Sequence, residues 1–253
     1  MDSRLDQADT DEALGPPRSE VSFRMVHQHL GFEHHPPRVV LLSGSLSEQS
    51  RTDRFAEWCA RILADRGAVP ELYPGRSLEF PFYRPGVAER NPAARRLLSS
   101  IAAADGVMLF SPTYHATVSG LLKNALDYLN ELAAHPRPYL TDRAVGCVAV
   151  GAGALGAATT LDTLRTICHA LRAWPTPLGA AITGSSVEFD TDGDPVEPEV
   201  RERLQTIIGQ VLAFVPLSRT AGNPSSSTPA STGGATVGLS AQPAAVAMRG
   251  PGS

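Results

Sequence analysis

Three short stretches of this chain carry residue types able to grip a ligand. The first, Ser43-Gly-Ser-Leu-Ser-Glu-Gln-Ser-Arg-Thr52, supplies the hydroxyls of Ser45, Ser47, Ser50 and Thr52, a flexible Gly44 and the charge of Arg51. Hydroxyls, free N–H groups at a helix start and a guanidinium are donors that hold phosphate. A monophosphate suits the loop, because it lacks the Gly-Lys-[Ser/Thr] ending that embraces a triphosphate; ATP hydrolysis is disfavoured. The same hydroxyls would equally cap the helix. The second stretch, Ser111-Pro-Thr-Tyr-His115, offers hydroxyls and an aromatic ring between the apolar run Val107–Phe110 and a helix face of Leu121, Leu122, Ala125, Leu126 and Leu129. The third, Gly151-Ala-Gly-Ala-Leu-Gly156, is a literal G-x-G-x-x-G. A nicotinamide-dinucleotide fingerprint belongs in the first βα turn, with an acid about twenty residues on, and this stretch meets neither condition. It reads instead as a small-residue loop over which a flat ring can approach the backbone.

These loops need a frame that sets them side by side. Hydrophobic periodicity predicts strands at 38–43, 69–73, 106–111, 145–150 and 178–182, alternating with helices at 51–66, 92–103, 117–132, 157–173 and 198–215. Strands joined through helices run parallel and are covered on both faces, which predicts a three-layer, doubly wound, five-stranded parallel sheet. The loops after the first, third and fourth strands then share one edge, with a phosphate turn at one end and ring-sized platforms beside it. That arrangement suits flavin mononucleotide (FMN). Residues 1–36 and 217–253 are polar or low in complexity and are expected to be disordered arms around a folded domain at 37–216.

In order, Gly44-Ser-x-x-x-x-Ser-Arg-Thr52, Ser111-Pro-Thr-Tyr-x-x-x-x-Ser-Gly-x-Leu-Lys-Asn-Ala-Leu-Asp127 and the glycine-rich loop resemble the NAD(P)H-dependent FMN reductase family over about residues 38–215. The resemblance implies a flavodoxin-like fold, with FMN and NADPH (or NADH) as cofactors. It implies Ser45, Ser50, Arg51 and Thr52 at the phosphate, Pro112, Thr113, Tyr114 and His115 along the isoalloxazine, and Gly151, Ala152 and Gly153 on its other side. Ser47 stands where many relatives have Arg, and Thr52 where they have Asn, which throws more of the phosphate grip onto Arg51. The implied activity is hydride transfer from nicotinamide to flavin, with electrons passed on to free flavin, a quinone, an azo dye or a partner monooxygenase. Such chemistry needs no side-chain acid or base, so no catalytic residue is assigned. The alternative is a flavodoxin-like electron carrier, or an FMN-binding module without nicotinamide turnover. Assembly as a homodimer or homotetramer is also implied, with Lys123 in a structural or dimer-contact role.

Composition narrows the partners. A net charge of −4 and a pI near 6.0 offer no broad basic surface for nucleic acid. No run approaches the ~20 apolar residues of a membrane span. Cys59, Cys147 and Cys168 sit in apolar patterns at wide spacing, as buried reduced thiols do, which points to the cytoplasm. His27, His29, His34 and His35 lack the spacing of a metal site, and Glu57 with Arg61 reads as a solvated i,i+4 pair.

Overall fold

Every residue from Val39 to Leu42 is apolar because this strand is buried on both faces. Its side chains alternate: Val39 and Leu41 enter one core, Val40 and Leu42 the other. The computed structural model describes residues 35–86, 91–184 and 188–221. The first three strands are β1 (Arg38–Ser43), β2 (Val69–Tyr73) and β3 (Gly106–Tyr114). Then come β4 (Thr117–Val118), β5 (Ala144–Gly151), β6 (Trp174–Pro175) and β7 (Ala180–Thr183). The helices are α1 (Arg51–Asp65), α2 (Pro92–Ala103), α3 (Gly120–Asp127), α4 (Ala154–Ala170) and α5 (Pro198–Ala221).

The main sheet is parallel and runs β2-β1-β3-β5-β6, with β7 also paired to β5. β6 pairs with the start of β5 and β7 with its end, so the two share the fifth lane. This is the expected flavodoxin-like arrangement of lanes, with seven strands rather than five. The fifth lane is split because Pro175 and Pro177 bring no N–H to the ladder. The seventh strand is β4, which pairs antiparallel with the end of β3. It replaces the start of the helix expected at 117–132: that segment is a strand, then α3, then a 3-10 helix at Tyr128–Leu132. Leu97, Ile101, Leu122, Leu126 and Leu164 from α2, α3 and α4 cover one face of the sheet. Phe55, Trp58, Leu204, Ile207 and Val211 from α1 and α5 cover the other. The last helix runs on to Ala221, past Pro216. His27, His29 and His34, and most of both expected arms, lie outside the described residues.

Cys59, Cys147 and Cys168 are buried free thiols, with Cys147 and Cys168 3.6 Å apart between β5 and α4. Among the described residues no helix is long and apolar enough to cross a membrane, and no group of three His, Cys, Asp or Glu is placed to hold a metal ion. Arg61 pairs with Asp194 at 2.6 Å rather than with Glu57.

At the β2 edge, the Glu71 carboxylate accepts from the Tyr73 hydroxyl at 3.0 Å and lies 3.5 Å from Arg96. Burial alone would raise its pKa, but the Ser100 and Tyr73 hydroxyls and Arg96 outweigh that and hold it below the ordinary value. A carboxylate lowered on folding adds stability above its unfolded pKa, and that stability disappears as pH falls through the folded one. The stability gap between wild type and Glu71→Gln, from urea unfolding, is therefore expected at pH 7 and should close below about pH 4. A gap independent of pH would refute the ionic contribution.

Candidate functional site

β1, β3 and β5 are adjacent parallel lanes, so the loops after them open along one edge. β2 and β3 flank β1 on opposite sides, and the crevice between loops that diverge in this way is where open α/β sheets take ligands. Gly44 turns the chain as it leaves β1, and its N–H donates to the Phe110 carbonyl at 2.9 Å. A β-carbon at Gly44 would lie 2.7 Å from Leu122 Cβ, so the loop after β1 rests directly on the start of α3.

Ser50 is the N-cap of α1, its hydroxyl accepting from the Asp53 N–H at 3.0 Å. The capping role open to these serines therefore falls to Ser50. Ser45 and Thr52 are buried and Ser47 is exposed; the Ser45 hydroxyl accepts from the Ser47 N–H at 3.3 Å. Arg51 donates through Nη1 to the Gly184 carbonyl, which draws the end of β7 into the site. Its other donors remain beside the loop.

The platform after β3 is built differently from a plain turn. β3 continues to Tyr114 and folds back as β4 through His115 and Ala116, at φ 50° and 62°. Both positions of this two-residue turn are left-handed, which costs side-chain-bearing residues roughly 1–2 kcal/mol each. The Ser119 N–H donates to the buried Ser111 hydroxyl at 3.0 Å and holds the hairpin's base. Pro112 is buried, while Tyr114 and His115 are exposed at the tip. Thr113 is half-buried, and its Oγ1 is buried with no hydrogen-bond partner. Gly151 packs against Thr113, where a β-carbon would sit 2.9 Å from that hydroxyl. Ala152 and Gly153 are exposed, Gly153 facing open space, and Gly153 is the N-cap of α4 without a side-chain cap.

All twelve residues singled out in the sequence therefore lie in or beside loops along one edge. An unpartnered Thr113 hydroxyl, a bare backbone at Ala152–Gly153 and a hydroxyl-lined helix start fit a ligand with a phosphate at one end and a flat polar-edged ring at the other. The sequence reading missed four contributors: Ser43, Asp53, Gly75 and Gly184. The Ser43 hydroxyl donates to Asp53 Oδ1, and Gly75, in the 3-10 helix Gly75–Leu78, packs on the Ser45 backbone. No local pattern marks Gly75 or Gly184, since their partners lie 30 and 133 residues away in sequence. Lys123 pairs with Asp127 at 2.6 Å on the surface of α3.

A model of the family described as NADPH-dependent FMN reductase matches residues 37–187. The chain belongs to this family. Its reductase domain is similar to the NADPH azoreductase of Bacillus sp. (strain OY1-2), 27% identical over 171 residues that span 67% of this chain and 90% of the relative. It is also similar to the FMN-dependent NADPH-azoreductase of Staphylococcus aureus (strain USA300), 26% identical over 183 residues, 70% of this chain and 94% of the relative. Among solved structures, the flavoenzyme NAD(P)H:(acceptor) oxidoreductase of Paracoccus denitrificans has the same fold, with a TM-score of 0.59 at 19% identity over 73% of this chain and 98% of that one. The reductase is thus an NAD(P)H-dependent flavin oxidoreductase whose cofactors are FMN and NADPH.

Proposed function

We propose that this reductase passes electrons from NADPH, or NADH, through FMN to a flat aromatic acceptor such as a quinone or an azo compound, or to free flavin. The observation that supports this reading is the contact between loops: Gly44 against the start of α3, and Gly151 against Thr113, which set the phosphate turn and both ring platforms side by side. The azoreductase activity named for the two relatives favours an azo acceptor over a partner monooxygenase. When bound, FMN would supply the two-electron chemistry that links nicotinamide to the acceptor.

The chain's own residues bind and orient. Ser45, Ser47, Ser50, Arg51 and Thr52 hold the phosphate; Pro112, Thr113, Tyr114 and His115 line one side of the ring, with Gly151, Ala152 and Gly153 on the other. The Thr113 hydroxyl, buried without a partner, gains one in a polar ring edge, which offsets its desolvation by about 1–3 kcal/mol. Purified protein with flavin absorbance that NADPH bleaches anaerobically, and that each acceptor restores at its own rate, is the expected result. Flavin that stays oxidised with NADPH would instead favour an electron carrier.

Arg51→Ala is expected to weaken FMN binding about tenfold, the low end of ~1.5–3 kcal/mol for a hydrogen bond to a charged group, because Gly184 already engages part of the guanidinium. Fluorescence titration measures it, and an unchanged dissociation constant removes Arg51 from the site. We further propose a homodimer or homotetramer. Tyr114 and Leu155 support it, standing 52% and 82% exposed at the rim where a second copy would shield them. Sedimentation as a monomer at micromolar concentration would refute it.

A further inference from the structure

Beneath the phosphate loop lies a carboxylate with no role in the reading above. Asp53 occupies the third position of α1, its N–H donating to the Ser50 cap and its Oδ1 accepting from the buried Ser43 hydroxyl. The Gly75 N–H supplies a further hydrogen bond. Gly75 in turn is packed against the backbone of Ser45. One side chain thus ties together the end of β1, the first turn of α1 and the 3-10 helix after β2, directly under the loop that receives the phosphate.

Two anions then compete for the same helix start. A helix N-terminus favours negative charge, and the half-buried Asp53 carboxylate already sits there. A phosphate dianion arriving at the N–H groups of the same turn raises the cost of keeping that carboxylate ionised. Burial has already pushed its pKa up, against the opposing pull of the Ser43 hydroxyl and the Gly75 N–H. Arg51 spends one donor on Gly184 and keeps the rest for the phosphate, while the other cations nearby are engaged elsewhere: Arg54 stacks over Phe189 at 4.0 Å, and Arg76 of the 3-10 helix pairs with the loop's Glu48 at 3.3 Å. Glu57, one turn along α1, is exposed, and β1 contributes only the neutral Ser43.

We propose that Asp53 couples the binding of the FMN phosphate to partial proton uptake at its carboxylate, so that this chain's FMN affinity falls as pH rises through the range in which that carboxylate ionises. The inference rests on the phosphate turn assigned above, and it makes Asp53 a positioning residue and a proton acceptor linked to the cofactor, not a catalytic group. Neutral asparagine of the same shape lacks the competing charge. Asp53→Asn should therefore bind FMN about fivefold more tightly than wild type at pH 7.5, a gap that narrows toward pH 4.5. Comparing the two proteins at each pH cancels the ionisation of the FMN phosphate itself.

The experiment is a fluorescence titration of apoprotein with FMN and with riboflavin from pH 4.5 to 7.5, for wild type, Asp53→Asn and Ser43→Ala. Riboflavin lacks the phosphate, so its affinity should be unaffected by Asp53→Asn. Ser43→Ala removes a bond that favours the ionised carboxylate, and should move the pH-dependent fall in FMN affinity to higher pH without abolishing it. Parallel FMN profiles for wild type and Asp53→Asn would overturn the proposal, as would weaker binding of both flavins by the variant, which would mark Asp53 as purely structural. Wild type that binds riboflavin as tightly as FMN would instead refute the phosphate turn itself, and the coupling with it.

Discussion

Gly75→Ala is expected to lower FMN affinity by about two orders of magnitude, near 3 kcal/mol, in a protein that still folds. A β-carbon at Gly75 would overlap the Ser45 carbonyl oxygen, a backbone atom with no rotamer to retreat into. Overpacking against rigid neighbours costs about 1–3 kcal/mol, and here the relief is displacement of the loop that carries Ser45 and Ser47. The clash is confined to the carboxyl edge of β1 and β2, while the buried clusters on both faces of the sheet are untouched. Circular dichroism should therefore stay native-like while fluorescence titration with FMN reports the loss. Riboflavin should lose much less, since it carries no phosphate. Full FMN affinity in the variant would show that the Ser45 loop does not bind the phosphate.

The largest expected loss of stability lies at the opposite end of the sheet. Arg143 is fully buried, and its guanidinium donates to the carbonyls of Ala104 (3.1 Å), Thr141 (3.0 Å) and Ala102 (2.8 Å). No carboxylate pairs with it in a salt bridge among the described residues. Its partners are the unsatisfied carbonyls at the end of α2 and in the turn before β5, which a cation complements. Burial, with a smaller push from Arg137, lowers its pKa to about 10, so it remains charged at neutral pH. Arg143→Met fills similar space but strands one buried and two partly buried carbonyls at about 1–3 kcal/mol each. A loss of about 4 kcal/mol follows, a drop of roughly 10 °C in Tm for a domain of this size. FMN affinity should be unchanged, because the candidate site lies at the other end of the strands. A variant with wild-type Tm would show that water replaces the guanidinium at no cost.

The lanes of the sheet were legible because each strand's apolar run must be buried on two faces, a constraint written into consecutive residues. Val39–Leu42 and Val107–Phe110 could hardly be anything else, and β1, β2 and α2 begin and end where periodicity places them. The candidate site was legible only as residue types: the hydroxyls before α1, the Thr113–His115 tip and the bare loop at Ala152–Gly153 are donors and small-residue backbone by type alone. Thr117 and Val118 misled, since their helical spacing lost to antiparallel pairing with Tyr114 and Thr113, a contact made only once the hairpin closes. Everything that ties the loops to one another came from tertiary structure. Arg51 meets Gly184, Gly75 meets Ser45, and Asp53 meets Ser43 across turns or whole lanes of the sheet. Burial patterns and local donors are properties of neighbouring residues, so a sequence states them. Which loop rests on which, and which carboxylate ends up under the loop after β1, depends on distances between segments far apart in the chain, and those exist only after the layers have packed.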